Sequence, residues 1–292
     1  MDRSRGTTCP ARRGLGRLKP VADVTVPGSF VSPIKVVIAP EMAEKAPFFS
    51  GRMIRGVRNG PSPDWLQKRL TAIGLRPINT LVDITNLFTF DLNRPLHVFD
   101  AGKVKGDLVV RASAEGEALL ALDGKTYAFA PGTMIIADET GPESIAGIMG
   151  GEHSGCDDAT TDVFLESAYW DPIAIAAAGR ALKINSDARY RFERGADPAF
   201  TLPGLELATR MILELCGGEA SEVVTAGAAP DTTRSYRSSW RRRARSRHRY
   251  PRTAGAAGAQ ARRRSRSCPP PSSRSARYFA ASPHRTRHLQ RL

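Results

Sequence analysis

The chain of 292 residues has a formal net charge of +14, but this charge is concentrated at its two ends. Residues 232–292 contain 18 Arg and no Lys, Asp or Glu, and residues 1–20 have a net charge of +5, which leaves −9 for residues 21–231. The composition therefore excludes a uniformly basic protein and leaves an acidic central part of about 210 residues, which is enough for one large or two small domains.

The two ends have few apolar residues and no helical or strand period, so we predict that residues 1–20 and 232–292 are disordered. A nucleic-acid-binding arm is the sharper alternative for the first segment. An evolved RNA-binding tail usually mixes Lys with Arg, so the absence of Lys in the second segment favours an out-of-frame reading of a GC-rich gene. We expect the folded part to span residues 21–231.

The first part of this region contains two β-branched runs, residues 34–39 and 52–57, which predict strands joined by a short connection. A helix follows. We predict that Ser62 caps it, that Pro63 is its first residue and that Gly74 lies just past its end, because these residue types favour those positions.

The stretch of residues 79–103 combines polar and apolar positions in a pattern that indicates the functional pocket. Its apolar residues have helical spacing, which predicts a half-buried helix over residues 80–91 with Asn79 as its N-cap. The chain then turns at residues 93–95 and places His97 in an extended segment. Taken alone, one His in an apolar run is more often a satisfied core side chain than a functional one.

Short strands and glycine-rich turns fill the next segment. The Asp123-Gly124 pair between residues 118–122 and 126–129 predicts a β-hairpin. Residues 144–152 contain three glycines in five positions but lack the Lys and hydroxyl of a phosphate-binding loop, and Glu152 would repel phosphate. A tight turn and a substrate-facing loop remain equally good interpretations.

The last part of the folded region is predicted to contain a strand, a loop and a helix. Residues 163–170 form a strand-like run with Glu166 in its middle, either on the wet face or held in a pocket. Residues 184–198 are interpreted as a charged loop, either ion-paired or clamping an anion. Residues 205–215 predict an amphipathic helix whose first turn Pro203-Gly204 kinks or delays. The fold class is therefore α+β, with mixed β-sheets and packed helices.

The four cysteines are far apart in sequence and contain no C-x-x-C pair, which predicts neither a zinc site nor a disulfide framework. No run of apolar residues is long enough for a membrane span, and no apolar segment follows the N-terminal arginines. We therefore expect a cytoplasmic protein without a metal site and without a membrane partner.

Several phrases together closely resemble the beta subunit of bacterial phenylalanyl-tRNA synthetase. They run in the family's order and spacing from about residue 34 to about residue 219, and they include WLQKRLTAIGLRPINTLVDITN, RPLHVFDAGK, AGIMGGE, FLESAYWDP and SDARYRFERGADP. The resemblance implies that residues 21–231 form a B3/B4 editing module with a lead-in strand region. That module hydrolyses tyrosine wrongly attached to the phenylalanine tRNA and needs no cofactor.

The resemblance also implies partners. Members of the family are heterotetramers of two alpha and two beta subunits, and the alpha subunit carries the synthetic site, which needs ATP and magnesium. We therefore expect tRNA(Phe) and an alpha subunit as partners, and we expect no synthesis of phenylalanyl-tRNA by this chain alone. The alternatives are a non-catalytic module that binds tRNA or an aromatic amino acid, and a non-functional product of a damaged gene.

The motif positions of the resemblance imply an editing pocket. Catalytic roles fall on His97, Asn86 and Gly150, and substrate-binding roles on Glu166, Arg76, Thr85, Ser186 and Ala188, with Ser186 standing where many members carry Thr. A buried Glu166 can accept the tyrosine hydroxyl proton, whereas phenylalanine leaves that acceptor unpaired. Hydrolysis then needs an aligned water and hydrogen-bond donors for the oxyanion, but no nucleophilic Ser or Cys. The sequence leaves open whether His97 binds ribose, orients water or moves a proton.

Overall fold

The computed structural model describes residues 24–231, which all belong to one compact unit. Our predictions of disorder for residues 1–20 and 232–292 lie outside the described residues. Within the described part, the α-helices are α1 (Asp64–Ala72), α2 (Thr80–Leu92), α3 (Pro172–Ala181), α4 (Asp187–Phe192) and α5 (Thr201–Cys216). The strands are β1 (Val36–Ile38), β2 (Phe48–Arg55), β3 (His97–Asp100), β4 (Leu108–Ala112), β5 (Ala118–Leu120), β6 (Thr126–Ala128), β7 (Met134–Ala137), β8 (Pro142–Ile145), β9 (Met149–Gly150), β10 (Asp162–Tyr169), β11 (Glu219–Ala220) and β12 (Val224–Gly227).

Two five-stranded sheets form the framework, and the predicted α+β class with mixed sheets is confirmed. The first sheet is antiparallel, with β10 between β2 and β3, while β11 and β12 both pair with β2. The second sheet has the order β1-β4-β7-β8-β9, in which only the β1–β4 pair is parallel. The predicted hairpin around Asp123-Gly124 is confirmed as the β5–β6 pair.

The first sheet has a core on each of its faces. Because side chains of a strand alternate between faces, Val163 and Leu165 of β10 pack with helices α1, α2 and α5. Phe164 and Ala168 point the other way and join the core that includes the second sheet. Glu166 shares this parity, so it projects from the face of the first sheet that is turned toward the second sheet.

The segments that enter and leave this unit meet at β2. The amide of Ser29 donates to the carbonyl of Ala220 at 2.9 Å, and the amide of Glu222 donates to the carbonyl of Phe30 at 2.7 Å. The buried guanidinium of Arg52 donates to the carbonyl of Ser221 and pairs with a carboxylate of α5 at 3.0 Å. The two ends of the folded unit are therefore joined along one edge of the first sheet.

The start of α1 corrects one prediction. Ser62 does not cap this helix, which begins at Asp64 with Pro63 in the cap position and no side-chain cap hydrogen bond. The Ser62 hydroxyl instead donates to the buried carboxylate of Asp83 at 2.6 Å. The predicted local capping bond is thus replaced by a bond from the segment before α1 to helix α2. The predicted stop is confirmed, since Gly74 lies two residues after α1 with a φ of 86°.

Three further boundaries differ from the predictions. Strand β2 begins at Phe48, inside the segment that we interpreted as a connection. Residues 184–198 are not a continuous loop, because α4 occupies its middle with Ser186 as N-cap. Pro203 neither kinks nor delays α5, which begins at Thr201. It lies in the first turn, where a backbone N–H has no partner within the helix, so its missing donor costs little.

Candidate functional site

A cavity of about 190 Å³ lies between the first sheet, α2, α4 and the β8–β9 segment. The eight residues that the sequence indicated all line it: Arg76, Thr85, Asn86, His97, Gly150, Glu166, Ser186 and Ala188. They come from distant parts of the chain. The fold therefore brings the predicted set together, while the role of each residue stays a prediction.

His97 and Glu166 form the floor of the cavity. They are directly opposite each other in the β3–β10 pair, and directly opposed residues of neighbouring strands project their side chains from the same face of a sheet. The His97 ring meets the edge of Phe99, with 4.3 Å between ring centroids. Glu166 is only 6% exposed. Its Oε2 and the His97 Nε2 are both buried without a hydrogen-bond partner among the described residues.

Burial determines the charge of both groups. It raises the pKa of Glu166 to about 8 and lowers the pKa of His97 to about 4, because a low-dielectric surrounding disfavours the charged form of each. At neutral pH the cavity floor therefore carries a protonated carboxyl and a neutral imidazole. Each group can then both donate and accept a hydrogen bond.

Gly150 lets the backbone of β9 approach the His97 ring. A Cβ at this position would lie 2.3 Å from His97 Cε1 and 2.7 Å from Nε2, so any side chain here would force the His97 ring to move. Gly147, at the turn between β8 and β9, has a φ of 67° and faces the Trp170 ring. The glycine-rich segment is thus a tight turn that also forms one wall of the cavity. The tight-turn interpretation is confirmed, while the substrate-facing role stays a prediction.

Helix α2 forms a second wall, and its N-terminal end is firmly held. The predicted cap is confirmed, since the Asn79 side chain accepts the Val82 amide at 3.0 Å. Asp83, fully buried, also accepts the amide of Ile78 at 2.9 Å, and burial raises its pKa. These bonds fix the loop between α1 and α2, which carries Arg76 to the cavity.

Helix α4 forms the third wall. The Ser186 hydroxyl accepts the amide of Arg189 at 3.0 Å and donates to the carbonyl of Ile148 at 2.6 Å. It therefore connects α4 to the β8–β9 segment. A Thr in this position can make the same two bonds, which agrees with the expectation that the Thr-to-Ser difference is tolerated.

Two lining residues with titratable side chains, Asp187 and Cys156, were missed by the sequence analysis. Asp187, the first residue of α4, lines the cavity and pairs with Arg191 at 3.0 Å. Its spacing of four residues from Arg191 is a helical signal that could have revealed both the helix and the carboxylate. Cys156 also lines the cavity, and its thiol contacts the carbonyl of Val98 at 3.7 Å. Burial raises the pKa of Cys156 to about 12, so this thiol is not a ready nucleophile.

Residues 24–231 contain no group of three or more His, Cys, Asp or Glu side chains that could hold a metal ion. No helix of that segment is long and apolar enough to cross a membrane.

The chain belongs to the B3/4 domain family, whose model matches residues 45–217. It is 71% identical over 228 residues to the phenylalanine–tRNA ligase beta subunit of Cereibacter sphaeroides, and 65% identical over 227 residues to that of Ruegeria pomeroyi. Each match covers 78% of this chain and 28% of the relative. The chain thus spans about 28% of the length of these relatives.

A solved structure is also similar in part. It is described as an N-terminal fragment of the phenylalanyl-tRNA synthetase beta subunit from Pyrococcus horikoshii, with 15% identity and a TM-score of 0.39. The match covers 55% of this chain and 51% of that chain.

Proposed function

We propose that this cavity hydrolyses the ester between tyrosine and a tRNA that accepts phenylalanine. The observation that carries the proposal is a buried carboxyl group, Glu166, whose Oε2 has no partner among the described residues and which faces a cavity in a B3/4 domain. The names of the relatives supply phenylalanine and its tRNA, and tyrosine is the phenylalanine analogue that carries a hydroxyl. A phenol hydroxyl is a partner that such a group can recognise.

Discrimination follows from the cost of leaving a buried polar group unpaired. At neutral pH the protonated Glu166 can donate to, and accept from, the hydroxyl of tyrosine. Phenylalanine has no hydroxyl, so its ring would bury the carboxyl without a partner at a cost of about 1–3 kcal/mol. Tyrosine esters are therefore selected, and correctly formed phenylalanine esters are spared.

Hydrolysis proceeds by attack of water on the ester carbonyl. A bond forms from the water oxygen to the carbonyl carbon, the bond to the ribose oxygen breaks, and that oxygen takes up the proton that the attacking water loses. With a pKa of about 4, His97 is a weak base, so its contribution is to orient the water or ester through Nε2. The Asn86 amide and backbone N–H groups near Gly150 supply hydrogen bonds to the developing oxyanion.

The wider assembly belongs to the same proposal. The chain acts on tRNA(Phe) in the cytoplasm, in company with an alpha subunit that performs aminoacylation with ATP and magnesium. The described residues provide no group of three or more His, Cys, Asp or Glu side chains for such a metal, and no step of the hydrolysis is assigned to it.

Deacylation of tyrosyl-tRNA(Phe) and phenylalanyl-tRNA(Phe) by the full chain tests the proposal. Glu166→Ala should reduce the preference for the tyrosyl ester, whereas His97→Ala should slow both esters by a similar factor of roughly 10² to 10⁴. Glu219→Ala, which changes an exposed carboxylate of the same sheet, is the matched control and should change neither rate.

Thermal melts of all variants separate these effects from loss of folded protein. A folded Glu166→Ala variant with unchanged selectivity would remove Glu166 from its role. Wild-type protein that binds tyrosyl-tRNA(Phe) without releasing tyrosine would instead be a binding module.

A further inference from the structure

The cavity has a neutral floor on β3 and β10, and its ordinarily charged side chains come from other elements. Burial keeps Glu166 protonated and His97 neutral at pH 7. The other lining residues with ordinarily charged side chains are Arg76 and Asp187. Asp187 is therefore the second carboxyl side chain of the cavity lining, beside the neutral Glu166.

Asp187 is held in place on one side and open on the other. Arg191 donates to its Oδ1 at 3.0 Å and to its backbone carbonyl at 2.9 Å. The Asp187 side chain is 37% exposed, and the described residues provide no hydrogen-bond partner for its second carboxylate oxygen. One oxygen thus fixes the side chain, while the other is free to bind a cation.

A contact between α2 and α4 fixes the position of the Asp187 carboxylate along the wall of the cavity. The Arg191 guanidinium lies over the Phe90 ring, 4.3 Å from its centroid. Asn86 is one helical turn before Phe90, and Asp187 is one helical turn before Arg191. Both Asn86 and Asp187 line the cavity, so the two helices present an amide and a carboxylate to the same space.

We propose that Asp187 binds the α-ammonium group of the aminoacyl ester, an assignment that rests on the function proposed above. A tyrosyl ester carries three groups to be recognised: a phenol, an ester carbonyl and an ammonium on the carbon next to that carbonyl. In the function proposed above, Glu166 recognises the first and the Asn86 amide stabilises the oxyanion formed from the second, which leaves the ammonium without an assigned partner. The substrate class is therefore esters with a free α-amino group, and N-acylated or peptidyl esters are rejected.

Hydrolysis of matched esters by the full chain tests this selectivity. Wild type should hydrolyse tyrosyl-tRNA(Phe) with a kcat/KM roughly 10- to 100-fold above that for the N-acetyl-tyrosyl and the deamino, 3-(4-hydroxyphenyl)propionyl, esters, the range expected for a hydrogen bond to a charged group. Asp187→Asn should remove most of this ratio by slowing the tyrosyl ester alone. Equal slowing of all three esters, or an unchanged ratio, would overturn the assignment.

Asp64→Asn is the matched control. Asp64 is also the first residue of a helix and also pairs with a basic residue four positions later, Lys68, but it does not line the cavity. Its substitution should leave the ester ratio unchanged. A loss of the ratio in this variant would mean that removing any carboxylate from a helix start has the effect, and would contradict a specific role of Asp187.

A binding measurement separates failure of this assignment from failure of the proposed hydrolysis. L-tyrosine amide and 3-(4-hydroxyphenyl)propanamide differ only in the ammonium group. Calorimetry should show tighter binding of the first to wild type, and loss of that preference in Asp187→Asn. If this result is obtained while no ester is hydrolysed, the assignment stands and the proposed activity fails. Equal binding of the two amides, or binding of neither, would refute the assignment.

Discussion

The buried carboxyl group of Glu166 makes the folding stability depend on pH, and Glu166→Gln should remove this dependence. Burial raises the pKa from 4.5 to about 8, so the folded state keeps a proton that the unfolded chain releases over this range. The stabilisation is complete below pH 4.5 and is lost as the pH rises toward 8. At about 1.4 kcal/mol per pH unit, the whole shift corresponds to about 5 kcal/mol.

His97 has the opposite effect, and this determines the useful pH window. Burial lowers its pKa from 6.5 to about 4, so its contribution is complete above pH 6.5 and is lost as the pH falls toward 4. The two slopes cancel between pH 4.5 and 6.5. From pH 6.5 to 8 only Glu166 of this pair titrates, and wild type should lose about 2 kcal/mol relative to Glu166→Gln.

Urea unfolding at several pH values between 6.5 and 8 gives the free energy of unfolding for each variant. Glu219→Gln is the control, because Glu219 is 59% exposed on the same sheet and pairs with the exposed Arg55. It should keep the wild-type pH dependence. Parallel curves for wild type and Glu166→Gln would refute the reasoning, since they would show that Glu166 does not stay protonated in the folded state.

Three further changes test other parts of the site. Gly150→Ala places a methyl group against the His97 ring. It should lower the free energy of unfolding by about 1–3 kcal/mol and abolish most deacylation. A wild-type melt with wild-type rates would contradict this. Arg94→Met removes the buried guanidinium that donates to two backbone carbonyls, so urea unfolding should show a loss of about 2–5 kcal/mol, whereas a loss below 1 kcal/mol would not fit. Asp83→Asn weakens the bonds that hold the loop carrying Arg76; hydrogen exchange should become faster in that loop, and unchanged exchange would count against it.

Helices and hairpins whose caps and turns lie within a few residues of each other could be predicted from the sequence. Helix α2 was recognised from the Asn79 cap and the apolar period, and the β5–β6 hairpin from its Asp-Gly turn. The cap assigned to Ser62 was wrong because the competing partner, Asp83, is 21 residues away. Helix α4 was missed because its alternating charges were interpreted as a loop, although they pair at helical spacing.

The site itself depends on pairing that no local pattern contains. His97 and Glu166 are 69 positions apart in the sequence, and only the antiparallel register of β3 and β10 places them opposite each other. The resemblance to known motifs supplied these residues as candidates. It could not supply their protonation states, which follow from how completely the layers above and below the sheet bury the two groups.

The two ends of the folded unit meet at β2. This affects how the unit can be connected to a longer polypeptide and how it is exposed during synthesis. The incoming segment and the outgoing segment lie side by side. A longer polypeptide can therefore enter and leave this unit at one place, which is the arrangement of a domain inserted into another domain. The outer edge of β2 also remains open until residues 219–227 have been synthesised, since β11 and β12 cover it. A nascent or truncated chain that lacks them exposes an unpaired strand edge, which is a template for association with other chains.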